Sequence, residues 1–323
     1  MRILSGVQPS GNLHIGNYFG AIRQFVRMQG EPGAECYYFV ANMHAMTTIH
    51  DGAELREKSF MVALDFLALG LDPQRSVIYL QSDVPEVTEL AWMLSSVTPM
   101  GLLQRGHSFK DKVARGITAN HGLFAYPVLM AADILIVRSD RVPVGKDQKQ
   151  HLEMTRDIAA AFNQAYGREL LKVPEELILP EVAVVPGVDG QKMSKSYGNT
   201  LEIFAPENEL KKRVMSIVTD STPVADPKPT RGNTLYALLK LFTPAADWPA
   251  TKRLFTEGGT GYGDLKKRLL GLVLDTFHDA RTRREALLRD RGYVEGVLRD
   301  GRDRAKTVID QVMADCRRVT GMR

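Results

Sequence analysis

Two short stretches of this chain combine side chains suited to phosphate chemistry. Gly190-Gln191-Lys192-Met193-Ser194-Lys195-Ser196 carries two lysines on a loop flanked by Gly187 and Gly198. Paired ammonium groups on such a loop suit a polyphosphate, whose charge each meets as a compact cation. Arg2 to Asn17, RILSGVQPSGNLHIGN, reads as a buried strand emptying through Pro9-Ser10-Gly11-Asn12 into a helix that starts near His14. Backbone N–H groups at such a helix start, with the positive end of the helix dipole, favour an anion. Gly16 lets a nucleotide approach the backbone closely. Taken alone, His14 reads equally as a packed or surface histidine.

A third stretch, Tyr126-Pro127-Val128-Leu129-Met130-Ala131-Ala132-Asp133-Ile134-Leu135, bears on substrate identity. Pro127 suits a first helical position. Tyr126, Met130 and Asp133 then stand at i, i+4 and i+7, so a hydroxyl, a thioether and a carboxylate share one face. An acid among apolar residues needs a partner. Either a neighbouring backbone group or arginine satisfies it, or it accepts an N–H from a ligand whose flat ring packs on Met130. Val142-Pro143-Val144 next reads as a strand, and Gly145-Lys146-Asp147-Gln148 as a turn into a helix. Asp147 is either an N-cap only or part of a crevice shared by a ribose and an amino acid.

The elements that position these residues alternate. Tyr37–Ala41 and Val77–Leu80 read as strands, Glu54–Leu69 as a helix stopped at Gly70, and a further helix runs from about Pro85 towards Leu94. Val182–Val185 reads as a β-like run before the lysine loop. Strand and helix in alternation predict an α/β, Rossmann-like, doubly wound parallel sheet. From Pro206 onward the pattern is helical, including Leu265, Leu269, Leu272, Thr276 and Ala280, with a Pro-rich connection over Thr222–Thr230. This divides the chain into 1–204, a catalytic domain, and 205–323, a smaller all-helical domain. The apolar stripe containing Trp92, Met93, Leu94, Met100, Leu102 and Leu103 reads as core, and Lys110 and Lys112 as a solvated charge run or phosphate contacts.

Charged residues at 25% and hydrophobic residues at 44% describe an ordinary folded protein, not a largely disordered one. No apolar run approaches the roughly 18 residues of a membrane span. Arg2 leads directly into the first strand without a signal-peptide pattern, so a cytoplasmic location is expected. Cys36 and Cys316 lie far apart and offer neither a disulfide framework nor a zinc site, and no metal site is expected. The net charge of +4 is unevenly placed: residues 262–323 hold 15 Lys and Arg against 10 Asp and Glu. Such a surplus suits RNA or reflects solvated helix faces, with Arg281, Arg283 and Arg284 the expected phosphate contacts.

Together, His14-Ile15-Gly16-Asn17 and Lys192-Met193-Ser194-Lys195-Ser196 resemble, in order and spacing, the paired signatures of class I aminoacyl-tRNA synthetases. SGVQPSGNLHIGNYFGAIRQF, YPVLMAADIL and VPVGKDQKQH extend the resemblance over nearly the whole chain, to the tryptophanyl-tRNA synthetase family. The resemblance implies that Gln8, Pro9, Ser10, Gly16 and Asn17 contact ATP, with Gly145, Lys146 and Asp147 as a further nucleotide-binding turn. It implies that Lys192, Met193, Ser194, Lys195 and Ser196 close over the phosphates, and that Lys192, Lys195 and Gln8 are catalytic. Asp133 would receive the indole N–H, Met130 would pack on the ring, and Tyr126 and Gln148 would hold the α-amino group. ATP is then a substrate that carries Mg2+, tRNA(Trp) and L-tryptophan are partners, and the Trp92 to Lys112 region contributes to a homodimer. The helical domain would bind the tRNA anticodon. A tyrosyl-specific synthetase and a catalytically silent RNA-binding paralogue are the rival readings. The sequence departs from the commonest family pattern at His14, at Asn42-Met43 and at Tyr197-Gly198.

Overall fold

The computed structural model describes residues 1–106, 120–145, 149–178 and 185–322. Five parallel strands form one sheet: β1 (Arg2–Val7), β2 (Glu35–Val40), β3 (Ser76–Leu80), β4 (Arg141–Val144) and β5 (Glu175–Ile178). Their order is β3-β2-β1-β4-β5, so the winding reverses between β1 and β4. A crevice opens at such a switch point beyond the carboxyl ends of the strands. The Rossmann-like expectation is therefore met, with a strand at Glu175–Ile178 that the sequence did not suggest. β5 escapes a hydrophobic pattern because, among the described residues, it is an edge strand beginning Glu175-Glu176, paired on β4 alone. The expected run over Val182–Val184 lies outside the described residues, and Val185 is not in a strand.

The helices in chain order begin with α1 (Ile15–Asn17), which continues through a π-turn at Tyr18–Ile22 into α2 (Arg23–Met28). Then follow α3 (Asn42–Ala45), α4 (Gly52–Ala68), α5 (Glu86–Ser95) and α6 (Met100–Gln104). After these come α7 (His121–Ile136), α8 (Lys149–Ala165), α9 (Glu207–Met215), α10 (Thr234–Phe242), α11 (Trp248–Thr256), α12 (Tyr262–Arg289) and α13 (Arg291–Thr320). One expected boundary is corrected. Pro127 is not the first helical residue but lies inside α7, because Asn120 caps the helix earlier by accepting the Leu123 N–H at 2.7 Å.

Alternation along the strands separates two apolar layers. Ile3, Tyr38, Val40 and Ile78 face a core shared with α2, α4 and α12, whereas Leu4, Tyr37, Phe39, Val77 and Tyr79 face α5, α7 and α8. The last helix joins both layers: Val294, Val297 and Leu298 belong to the first, and Ala305, Ile309, Val312 and Met313 to the second. α13 thus crosses the free edge of β3. At the crossing a Cβ on Gly301 would lie 1.8 Å from the Ile78 carbonyl oxygen, so only glycine admits this approach. Arg304 Nη1 donates to the carbonyls of Pro73 at 2.7 Å and Ser76 at 3.1 Å, and Lys306 and Arg317 pair with Glu86 and Glu89 on α5. An edge covered in this way offers no template for a further strand.

Gly301→Ala should force α13 off β3 and destabilise the fold by about 1–3 kcal/mol, the usual cost of overpacking. Gly296→Ala, on the same helix with only the Arg299 guanidinium within reach, at 3.9 Å, should be neutral or stabilising. Thermal and urea unfolding of the two variants side by side checks both.

Candidate active site

The ends of successive strands build one crevice. Gln8 follows β1, the short α3 with His44 follows β2, Gln81 follows β3, and Gly145 follows β4. A cavity of about 440 Å³ between them is lined by Gln8, His44, Tyr126, Met130, Asp133 and His151, among others. The helical spacing of Tyr126, Met130 and Asp133 therefore brings all three to one cavity. Lys146, Asp147 and Gln148, like Lys110 and Lys112, lie outside the described residues.

Asp133 is buried, and its carboxylate is held by two side chains that sequence reasoning passed over. Gln81 Nε2 donates to Oδ1 at 2.8 Å and to Oδ2 at 3.0 Å, and His44 Nε2 lies 2.9 Å from Oδ2. Burial raises the Asp133 pKa, while the hydrogen bonds and charge of His44 and the Gln81 amide oppose the rise. Among the described residues, neither an arginine nor the backbone is the partner. The sequence signal for both residues was position: each stands just beyond the carboxyl end of a strand, where open parallel sheets place ligands. The hydroxyl of Tyr126 lies 2.5 Å from Nε2 of the buried His151, and the Tyr126 ring meets the His44 ring edge-on at 6.3 Å.

The side of the crevice expected to meet phosphate is formed by two segments tied together. His14 bridges antiparallel to Glu202, Ile15 N–H donates to the Leu201 carbonyl at 3.0 Å and Ile203 N–H to the Leu13 carbonyl at 3.1 Å. The helix start is thus less open than the sequence suggested, since the Ile15 N–H is engaged. Asn17 Oδ1 accepts the His14 N–H at 3.1 Å, which fixes the first turn. His14 is buried beside Gly16, where a Cβ would lie 2.8 Å from Nδ1 of its ring, and that Nδ1 has no partner among the described residues. Burial, and secondarily the Lys195 charge, lowers its pKa to about 4, so the imidazole is neutral at pH 7. Pro9 is buried, and Gln8 and Ser10 are exposed at the turn.

In the lysine loop, Lys195 Nζ donates to the Gly11 carbonyl at 2.8 Å, joining this loop to the glycine turn that leads into the first signature. Burial brings its pKa down to about 8 and the Lys58 charge adds to the fall, against the opposing charges of Glu202 and Asp65. Lys192 is exposed, whereas Met193 is buried and its N–H donates to the Val185 carbonyl at 2.9 Å. Ser194 and Ser196 share a hydroxyl contact of 2.8 Å. The loop is shaped by Asn199, another residue that sequence reasoning missed. Its Oδ1 accepts the Ser194 N–H at 2.8 Å, and its Nδ2 donates to Asp189 at 2.8 Å and to the Lys192 carbonyl at 3.1 Å. A Cβ on Gly187 would lie 2.3 Å from that amide, so the Asn199 contact requires glycine there.

The three arginines expected to meet RNA are engaged within the chain. Arg281 donates to the Ala205 carbonyl at 2.6 Å, Arg283 to the Ala68 carbonyl at 2.9 Å and Arg284 to the buried Asp65 at 2.7 Å. They pin α12 to α4 and to the segment beyond the lysine loop. By contrast, Trp92 is 77% exposed and Met100 60%, so this part of the apolar stripe is surface rather than core. A second cavity of about 530 Å³ lies beside Trp92 and shares His44, Thr47 and Tyr126 with the first.

The family model described as tRNA synthetases class I (W and Y) matches residues 1–268. The chain is 53% identical to the tryptophan--tRNA ligase of Fusobacterium nucleatum, over 99% of this chain and 98% of that one. It is 48% identical to the tryptophan--tRNA ligase of Rhodopirellula baltica over the full length of both. The crystal structure of tryptophanyl-tRNA synthetase from Campylobacter jejuni complexed with ADP and tryptophan superposes with a TM-score of 0.93 at 49% identity, covering 100% of each chain. With the two signatures joined at the switch point of a parallel sheet, and with similarity running from end to end, the chain belongs to the class I tRNA synthetases of the tryptophan and tyrosine family.

Proposed function

We infer that this protein is a tryptophan--tRNA ligase, which activates L-tryptophan with ATP and transfers it to tRNA(Trp). The observation that carries the reading is the shared cavity of Tyr126, Met130 and Asp133, which is also lined by Gln8 at the start of the turn whose Gly11 carbonyl receives Lys195. The relatives named above support tryptophan over tyrosine, and a buried acceptor beside a thioether suits an indole N–H.

In the first step a carboxylate oxygen of tryptophan attacks the α-phosphorus of ATP, the bond to the β-phosphate oxygen breaks, and pyrophosphate leaves. In the second the 2′-hydroxyl of the terminal adenosine attacks the carbonyl of the adenylate, and AMP departs. Neither step needs a protein nucleophile, and the first builds charge on phosphate oxygens, so positioning and positive charge dominate. We assign Gln8, Pro9, Ser10, Gly16 and Asn17 to one side of the nucleotide, and Gly145, Lys146 and Asp147 to the other. Lys192 to Ser196 cover the phosphates, with Lys192, Lys195 and Gln8 catalytic. Asp133 accepts the indole N–H, Met130 packs on the ring, and Tyr126 and Gln148 hold the α-amino group. ATP enters as a substrate carrying Mg2+ and not as a resident cofactor.

The helical part from residue 205 is assigned to the tRNA anticodon. With Arg281, Arg283 and Arg284 engaged internally, other cations of that part must meet the RNA. The face bearing Trp92 and Met100 is assigned to a homodimer contact, since exposed apolar side chains beside a cavity suit an obligate partner surface. A role in aminoacylating tRNA places the protein in the cytoplasm, and no described helix is long and apolar enough to cross a membrane.

Pyrophosphate–ATP exchange should depend on tryptophan and not on tyrosine; exchange driven by tyrosine alone would assign the other specificity. In the same assay Asp133→Ala should raise the KM for tryptophan and relax rejection of phenylalanine. A pocket built on a buried hydrogen bond can reject the ligand lacking it by roughly 10⁴ to 10⁵. Unchanged selectivity would remove Asp133 from the indole site.

Lys195→Ala should slow adenylate formation by about 10² to 10³, with transfer from preformed adenylate nearly normal because pyrophosphate has already left. Lys195 is charged below its pKa of about 8 and loses its charge as pH rises through it. kcat/KM for ATP, which reports the free enzyme, should therefore fall above about pH 8. Lys195→Arg should move that fall to higher pH. A profile identical in the two proteins would assign the alkaline limb to another group.

A further inference from the structure

Gln81 directly follows β3, is fully buried, and has its amide engaged on both sides. While Nε2 spans the two oxygens of Asp133, Oε1 accepts the N–H groups of Met43 at 3.0 Å and His44 at 3.4 Å. The next residue repeats the link: Ser82 N–H donates to Asn42 Oδ1 at 3.0 Å, and Asn42 Nδ2 donates to Ser82 Oγ at 2.7 Å. The ends of β2 and β3 are thus cross-linked beneath α7, and one side chain orients both the carboxylate and the backbone that carries His44.

The chemistry of this partner matters. An arginine would meet a buried carboxylate as a bidentate counter-charge. A primary amide bridging both oxygens fixes the plane of the carboxylate without cancelling its charge, and each oxygen has two lone pairs, so accepting capacity remains. A residue here that accepted rather than donated would set two acceptors against each other in a buried site, which is costly.

We propose that Gln81 is a specificity-determining positioning residue, which holds Asp133 as a fixed, charge-retaining acceptor and so sets how strongly the pocket prefers a ring bearing an N–H. This rests on the reading of Asp133 as the indole acceptor.

The test uses pyrophosphate–ATP exchange with two ligands, tryptophan and β-(3-benzothienyl)alanine, in which sulfur replaces the indole N–H. In Gln81→Met the KM for tryptophan should rise about 10- to 100-fold, the scale of one hydrogen bond to a charged group. kcat should fall less than KM rises, and the KM for the benzothienyl ligand should change little. Equal weakening of both ligands, or of neither, would overturn the proposal. Gln81→Glu keeps the shape and the acceptor towards Met43 and His44 but sets a second acid against Asp133, and two carboxylates so close share a proton. That proton restores a donor, so the preference of this variant for tryptophan over the benzothienyl ligand should recover as pH falls, unlike the wild type; a pH-independent preference overturns the proposal even if Gln81→Met does not fold. Asp133→Ala, run alongside, separates the two levels. If it leaves the ratio of the ligands unchanged, the indole reading fails and the proposal with it; if it collapses the ratio and the Gln81 variants do not, only the role of Gln81 is lost.

Discussion

A parallel sheet has no solvent-facing side, and that constraint organises this protein. Both faces of β1, β2 and β3 carry large apolar side chains, so helices must cover each. The crossovers lay α2 and α4 on one face and α7 and α8 on the other, and the change of direction between β1 and β4 leaves a crevice at the strand ends. The remaining edge, at β3, is covered by α13 through the Gly301 contact with Ile78. Chain from beyond residue 205 therefore completes the same layers that begin at residue 2, although every strand lies before it.

Burial sets the terms at both ends of the crevice. It disfavours Asp133 as an anion, and donors from the ends of β2 and β3 offset that cost. Beside the glycine turn, burial makes Lys195 hold its proton less tightly, and His14 remains neutral next to it. A neutral imidazole packs against the glycine turn without adding a second positive charge to the one that Lys195 supplies.

The lysine loop owes its shape to neighbours more than to its own sequence. Asn199 gathers Ser194, Lys192 and Asp189, the Leu13–Ile15 segment pairs with Leu201–Ile203, and Arg213 donates to the carbonyls of Gly198 and Thr200. Gly198 itself has φ of 61°, so glycine after Tyr197 ends the short 3-10 turn of Lys195–Tyr197 without strain. The other departure from the usual pattern, Asn42, also has a structural use, because its amide can both accept from and donate to Ser82.

Much of this was legible in the residues alone. Alternating strand and helix patterns named the sheet, the paired signatures named the family, and spacing on one helix face brought Tyr126, Met130 and Asp133 together. These succeed because periodicity and turn chemistry are local properties of a chain. What remained hidden was set by separation in sequence. β5 is recognisable only by its pairing with β4. Arg281, Arg283 and Arg284 look like free cations until Ala205, Ala68 and Asp65 are seen beside them. Sequence alone determined that Asp133 needs a partner, since an isolated acid among apolar residues is untenable. Only the tertiary structure decided that His44 and Gln81 are that partner, because hydrogen bonds between side chains depend on which strand ends the sheet order makes neighbours, and that order is a property of the whole fold.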